Sequence, residues 1–157
     1  MLKAAEDPEF IDILASAIRQ EVGELLDKLA PGWQVEVHGE YNWRVTSPNP
    51  PPARDGIPTR VLALFGMRTL PGCCGAVVVH NSWINAGLRK RGVGLAMCRA
   101  RLLAAKAAGY GVAIATTVTP ESARVLYRAG YVVQGKFTNP RTGNTVTTHT
   151  CSLMDWK

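Results

Sequence analysis

The sequence predicts an α/β fold of the α+β kind: a central mixed β-sheet flanked by helices. Two observations carry this. Helix and strand periodicities alternate through the second half of the chain, which implies helices packed on a sheet of mixed direction. The first half offers a long amphipathic helix followed by several short alternating runs, the pattern of antiparallel strands. At 157 residues with 46% apolar content, the chain is long enough to bury a core without disulfide staples. Neither a linker nor an internal repeat divides it, so residues 1–157 read as one domain.

In residues 8–29, Phe10, Ile11, Leu14, Ala15, Ile18, Val22, Leu25, Leu26 and Leu29 recur at helical spacing. Asp7 before Pro8 supplies a cap with proline at the first helical position, and Pro31-Gly32 ends the helix. Residues 33–38 and 41–45 alternate at period two around the turn-like Gly39-Glu40, as two strands or one bent strand. Residues 47–58 hold five prolines, which remove donors and fix φ, so this segment is a surface loop. Residues 60–67 form a strand of buried type. After the Pro71-Gly72 turn, residues 75–84 form another. Residues 92–108 form a second helix with Val93, Ala96, Met97, Ala100, Leu103, Ala104 and Ala107 on one face, closed by Gly109. Then follow a strand at 112–117, a short helix at 120–129 ended by Gly130, and strands at 131–138 and 145–153.

Charge is unevenly distributed. Residues 1–55 carry ten acids and five bases, residues 56–157 two acids and thirteen bases, which together give the net +6. The basic part should attract a polyanion, either a phosphorylated coenzyme or a nucleic acid. No apolar run approaches the ~18 residues that span a membrane, and the acid-bearing N-terminus is not a secretory signal. The cysteines, Cys73, Cys74, Cys98 and Cys151, lack zinc spacing and suit no obvious bridge, so the expected setting is the reducing cytoplasm, without a metal.

The most informative stretch is Ile84-Asn85-Ala86-Gly87-Leu88-Arg89-Lys90-Arg91-Gly92-Val93-Gly94. A strand ends, a basic turn follows and glycines open a helix. Glycine lets backbone approach a phosphate closely. The first helical amides lack internal partners, and the helix dipole favours an anion there. The Walker pattern is absent, and the dinucleotide fingerprint lacks its third glycine and its downstream acid.

This turn resembles the acetyl-CoA pyrophosphate motif of the GNAT (GCN5-related) N-acetyltransferases. The stretch from Thr119 to Tyr131, with Ser122, Leu126, Gly130 and Tyr131, resembles that family's next motif, with Thr119 in place of a frequent asparagine. The resemblance covers residues 59–137, while the family's usual strand before the first helix is missing. It implies a GNAT-like acyl-CoA N-acyltransferase fold and direct attack of an amine on the thioester of acetyl-CoA, with no metal. It implies coenzyme contacts from Ile84, Asn85, Ala86, Arg89, Lys90, Arg91, Gly92, Val93, Gly94, Thr119 and Ser122, with the interruption of the strand falling at 84–86. His80, on the strand leading into the turn, is the expected base, since imidazole titrates near working pH. The family's acid is often a tyrosine four residues before the motif's glycine. That position is Leu126, so Tyr127, the nearest tyrosine, is one residue out of register, and water is the other acid.

The expected acceptor is a primary amine of a small molecule or a protein, and domains of this kind often pair as homodimers. Two other readings stay open. One is a nucleic-acid-directed protein of GNAT type, since Arg99, Lys106, Arg124, Arg128, Lys136 and Arg141 exceed what a coenzyme needs. No stretch interleaves aromatics with bases as single-strand binders do. The other is an inactive coenzyme-binding module, which the missing tyrosine would suit.

Overall fold

The computed structural model describes residues 7–39, 42–52, 60–70, 72–73 and 75–157, and of Asn81 the backbone alone. The elements run α1 (Pro8–Leu29), β1 (Gln34–Val37), β2 (Asn42–Thr46), β3 (Val61–Thr69), β4 (Ala76–Ile84), α2 (Val93–Ala107), β5 (Val112–Thr117), α3 (Pro120–Ala129), β6 (Val132–Thr138) and β7 (Thr145–Ser152), with a 3-10 turn at Ala86–Leu88. The expected turn at Glu40, the strand start at Tyr41, part of the proline loop (53–59), Pro71 and Cys74 lie outside the described residues.

The strands form one mixed sheet in the order β1-β2-β3-β4-β5-β7-β6. All neighbours are antiparallel except β4 and β5, which α2 connects as a parallel crossover. Residues 33–38 and 41–45 belong to two strands, paired as a hairpin from Val37↔Trp43 outward.

Local chemistry explains the helix ends. The Asp7 carboxylate accepts from the Glu9 N–H (2.9 Å), and Thr119 Oγ1 accepts from the Ser122 N–H (3.2 Å). Each satisfies an amide that the first helical turn leaves free, and proline follows each cap. The apolar stripe of α1, Phe10, Leu14, Ile18, Val22 and Leu26, is buried. Phe10 packs on Trp43 with centroids 5.4 Å apart, and Trp43 on Phe65 at 6.3 Å. α1 also packs along α2, so both helices cover the sheet face that bears Trp43 and Phe65. No helix among the described residues is long and apolar enough to cross a membrane.

Two departures from regular pairing shape the centre of the sheet. First, the parallel ladder between β4 and β5 ends at Val79↔Ala115. Beyond it β4 stays with β3, and Thr116 and Thr117 stay with Thr148 and Thr147 of β7. The two strands therefore splay, and their facing backbone edges have no ladder partners. Second, Gly66 pairs with His80 but Leu64 pairs with Trp83. One extra residue on β4 makes a β-bulge there. The strand is thus interrupted between His80 and Trp83, earlier than the 84–86 the family motif implies.

Candidate active site

The splay opens a cleft of about 360 Å³. β4 supplies one wall (Val79, His80, Ser82, Trp83 and Ile84), and Ala115–Val118 of β5 with Ser122, Val125 and Leu126 of α3 supply the other. One face of α2 (Gly94, Met97, Cys98 and Arg101) completes the lining, together with Phe65. A second depression shares Leu64, Phe65, Ser82 and Trp83 with the first, and adds His38, Asn42 and Trp43. Two recesses thus meet at the bulge of β4.

The glycine turn lies at the mouth of the cleft. Gly92 caps α2 in the left-handed region (φ 79°), where other residues are strained. Lys90 (φ 62°) is the one non-glycine residue with positive φ among those described. A Cβ built on Gly92 or Gly94 would meet no atom within 4 Å, so space for a ligand stands in front of the first helical turn. The N–H groups of this turn lack intrahelical partners; the ladder begins with the Ala96 N–H donating to the Gly92 carbonyl (3.1 Å). Arg89, Lys90 and Arg91 are exposed around it. Arg89 Nε donates to the Ile84 carbonyl (3.0 Å), which ties the turn to the strand end.

Of the other residues expected to contact a coenzyme, Ile84 and Ser122 line the cleft with Gly94. Thr119 is exposed, and its hydroxyl is engaged with Ser122 (Oγ1 donates to Oγ, 3.0 Å). Asn85 is buried and structurally committed. Its Nδ2 donates to the Val61 carbonyl (3.1 Å), and its Oδ1 accepts from the Gly87 N–H (2.8 Å). Val93 is fully buried in the core, and Ala86 begins the 3-10 turn. Asn85 and Val93 can therefore offer a ligand only backbone.

His80 lines the cleft. Its Nε2 is buried without a hydrogen-bond partner. Burial, then the charges of Arg68 and Arg101, push its pKa below the ordinary imidazole value, so the ring is neutral at pH 7. On a regular strand His80 would share the face of Ile84. The bulge reverses that parity: His80 and Trp83 pair with Gly66 and Leu64 on one face, while Ile84 pairs with Ala63 on the other.

Tyr127 is not brought to the cleft. It is 76% exposed, whereas its neighbour Leu126 is buried and lines the wall. Each helical residue turns about 100°, so the one-residue offset rotates the phenol away.

Three further residues shape the site. Gly66 carries the ring of His80: a Cβ on it would stand 2.2 Å from Cε1 and 2.5 Å from Nδ1. His149 is buried and hydrogen-bonded through Nε2 to Thr117 Oγ1 (2.8 Å), fixing a wall residue. Arg101 reaches the cleft from α2, 5% exposed. Its signal was legible, since Arg101 stands four residues after Met97 and three before Ala104, on the apolar face of the helix.

Searches by sequence match no family model and no curated protein. Solved structures do match. An acetyltransferase of the GNAT family from Desulfovibrio desulfuricans is 13% identical over 94% of both chains, with a TM-score of 0.58. A GNAT-family protein from Chromobacterium violaceum is 16% identical over 73% of this chain and 60% of its own (TM-score 0.57). A streptothricin-type acetyltransferase from Bacillus anthracis, solved with acetyl-CoA, is 9% identical over 71% of this chain and 61% of its own (TM-score 0.55). The chain therefore spans about three fifths of the latter two. At such identities the likeness is one of fold: the chain has the GNAT acyltransferase fold.

Proposed function

We propose that the chain, as one domain of residues 1–157, is a cytoplasmic N-acetyltransferase that moves the acetyl group of acetyl-CoA to a primary amine. The observation that carries this reading is the single cleft that runs from Gly94, in the first turn of α2, along the splayed edges of β4 and β5 to His80. A pyrophosphate would sit against the free amides of α2, with Arg89, Lys90 and Arg91 around it. A pantetheine arm, with its two amides, would replace the missing ladder partners between the strands. The thioester would then lie near the bulge, where the second depression gives an amine its own approach.

In this scheme the amine nitrogen attacks the thioester carbonyl, and the imidazole of His80, which lines the cleft, takes the proton, directly or through a water. Its depressed pKa keeps it unprotonated and ready. The tetrahedral intermediate collapses, the C–S bond breaks, and the thiolate leaves. With Tyr127 facing solvent, water protonates the thiolate. Positioning two reactants in one cleft supplies most of the rate.

An amine panel with acetyl-CoA and a thiol-release readout tests the reading. Turnover on at least one primary amine is expected. Acetyl-CoA should also raise the melting temperature by mass action far more than ATP or NAD. Equal shifts from all three would mean that the turn merely collects phosphates. The outward Tyr127 also fits a coenzyme-binding module without turnover, which acetyl-CoA binding with no acetylated amine in the panel would favour.

A further inference from the structure

Arg101 has a guanidinium at the wrong depth for a surface cation. It is 5% exposed, and its Nε and Nη1 are buried without hydrogen-bond partners. Ion pairs elsewhere join Arg19 to Asp27, Arg44 to Glu36 and Arg99 to Glu21; none among the described residues involves Arg101. Its compensations are neutral groups, the ring of Phe65, 5.6 Å from the guanidinium carbon, and the neighbouring Cys98 thiol, contacts that offset only part of a desolvated charge. Arginine cannot escape by losing its proton. A buried, unpaired cation is among the most costly features a fold can hold. Here it lines the cleft beside Met97, Cys98, Val79 and Ala115, an apolar setting that strengthens pairing with any anion that enters.

The anion is not the coenzyme's pyrophosphate. Arg101 lies nine residues along α2 from Gly92, about 13 Å at 1.5 Å per residue. Arg101 is thus a second and more deeply placed cation, on the same cleft as His80. We propose that the floor of the cleft is a carboxylate subsite, in which Arg101 receives a carboxylate carried by one of the two reactants. The guanidinium fork matches a carboxylate in two parallel hydrogen bonds. The carboxylate has two sources: the far end of a dicarboxylic acyl chain on the coenzyme, or an amino-acid acceptor. This inference rests on the acyltransferase reading and specifies its substrate class.

The experiment has two arms, read by calorimetry on wild type, Arg101→Met and Arg101→Lys. In the first, succinyl-CoA is titrated against acetyl-CoA. In the second, glycine is titrated against methylamine with coenzyme A present. In one arm, wild type should prefer the carboxylate-bearing compound by about tenfold or more, the worth of a charge-assisted pair. Arg101→Met should erase that preference, leave acetyl-CoA affinity within about threefold, and leave the melting temperature unchanged or higher, because it removes an unpaired buried charge. Arg101→Lys keeps the charge but not the fork, and should weaken the preference even if the methionine variant does not fold. The arm that responds identifies the source. A wild type without preference in either arm overturns the subsite, as does a preference that survives in both variants. Failure of wild type to bind acetyl-CoA would instead overturn the acyltransferase reading, a separate result.

Discussion

Replacing Gly94 by alanine separates the stability of α2 from ligand binding at its N-terminus. A Cβ on Gly94 meets no atom within 4 Å, and no positive φ forbids it. Glycine costs a helix about 0.5–1 kcal/mol relative to alanine. In a domain of this size 1 kcal/mol corresponds to about 2–4 °C, so Gly94→Ala should raise the melting temperature by about 1–4 °C. The same methyl stands where an anion must approach the helical amides. Loss of one charge-assisted hydrogen bond is worth about 1.5–3 kcal/mol, or about 10- to 150-fold in acetyl-CoA affinity. Gly92→Ala should differ in sign on stability and agree on binding. Its φ of 79° makes alanine strained by about 1–2 kcal/mol. Calorimetric titration and thermal melts on the same samples read both quantities. If Gly94→Ala binds acetyl-CoA within threefold of wild type, the phosphates do not lie on this turn.

Three further outcomes follow from the site. His80→Gln should lower kcat by about 10²-fold or more with acetyl-CoA affinity unchanged, and a loss under about threefold would return His80 to a passive strand residue. The acidic limb of kcat/KM should lie below pH 6.5 and vanish in that variant. The buried histidines set stability as well: His80 and His149 both have depressed pKa values, so below about pH 6.5 the unfolded chain binds protons that the folded chain resists. The contribution of these two histidines should therefore be constant above about pH 6.5 and be lost as pH drops through the window beneath it. Chemical denaturation at pH 7.5 and 5.5 checks this, and equal midpoints would contradict it. Gly66→Ala should displace the imidazole, whose Cε1 would be 2.2 Å from the new methyl. The expected result is a loss of kcat close to that of His80→Gln in a protein that still melts cooperatively, and a kcat within threefold of wild type would show that the ring is not held by Gly66.

The parts of the fold that depend on local chemistry were legible. The bounds of α1, β5 and α3 follow from Asp7-Pro8, from the β-branched run at 112–117 and from Thr119-Pro120 with Gly130, each a cap, propensity or breaker acting within a few residues. The glycine turn was legible for the same reason. The bulge of β4 was not. His80-Asn81-Ser82-Trp83 carries no signal for an extra residue, because a bulge answers to the partner strand. Without it, simple alternation put His80 and Ile84 on one face, and the register puts them on opposite faces. The importance of Gly66 was hidden likewise, since its neighbour His80 is fourteen residues away and met only through pairing. Tyr127 shows the reverse: a one-residue offset read from sequence translated directly into a side chain facing water.

Several of the sites where local rules fail lie together in one region of this molecule, although register shifts also occur at Val45–Thr46 and between Val133 and Gly135, and Trp43 Nε1 and the Tyr131 hydroxyl are buried without partners as well. Lys90 adopts a left-handed backbone that a lysine ordinarily avoids. The ladder between β4 and β5 stops with strand edges still facing each other. β4 carries an unpaired extra residue. His80 Nε2 and two donors of Arg101 are buried without partners. Each is a local cost, and strain, bulges and orphaned polar groups of this sort persist where function demands them. Elsewhere caps are satisfied and α1 obeys its periodicity. An anionic ligand with amide groups along its length would relieve the costs of the turn and the open strand edges, and a carboxylate that of the guanidinium. The free protein is thus held below the stability its core could provide, and the shortfall should return on binding as a rise in melting temperature beyond what any one contact supplies.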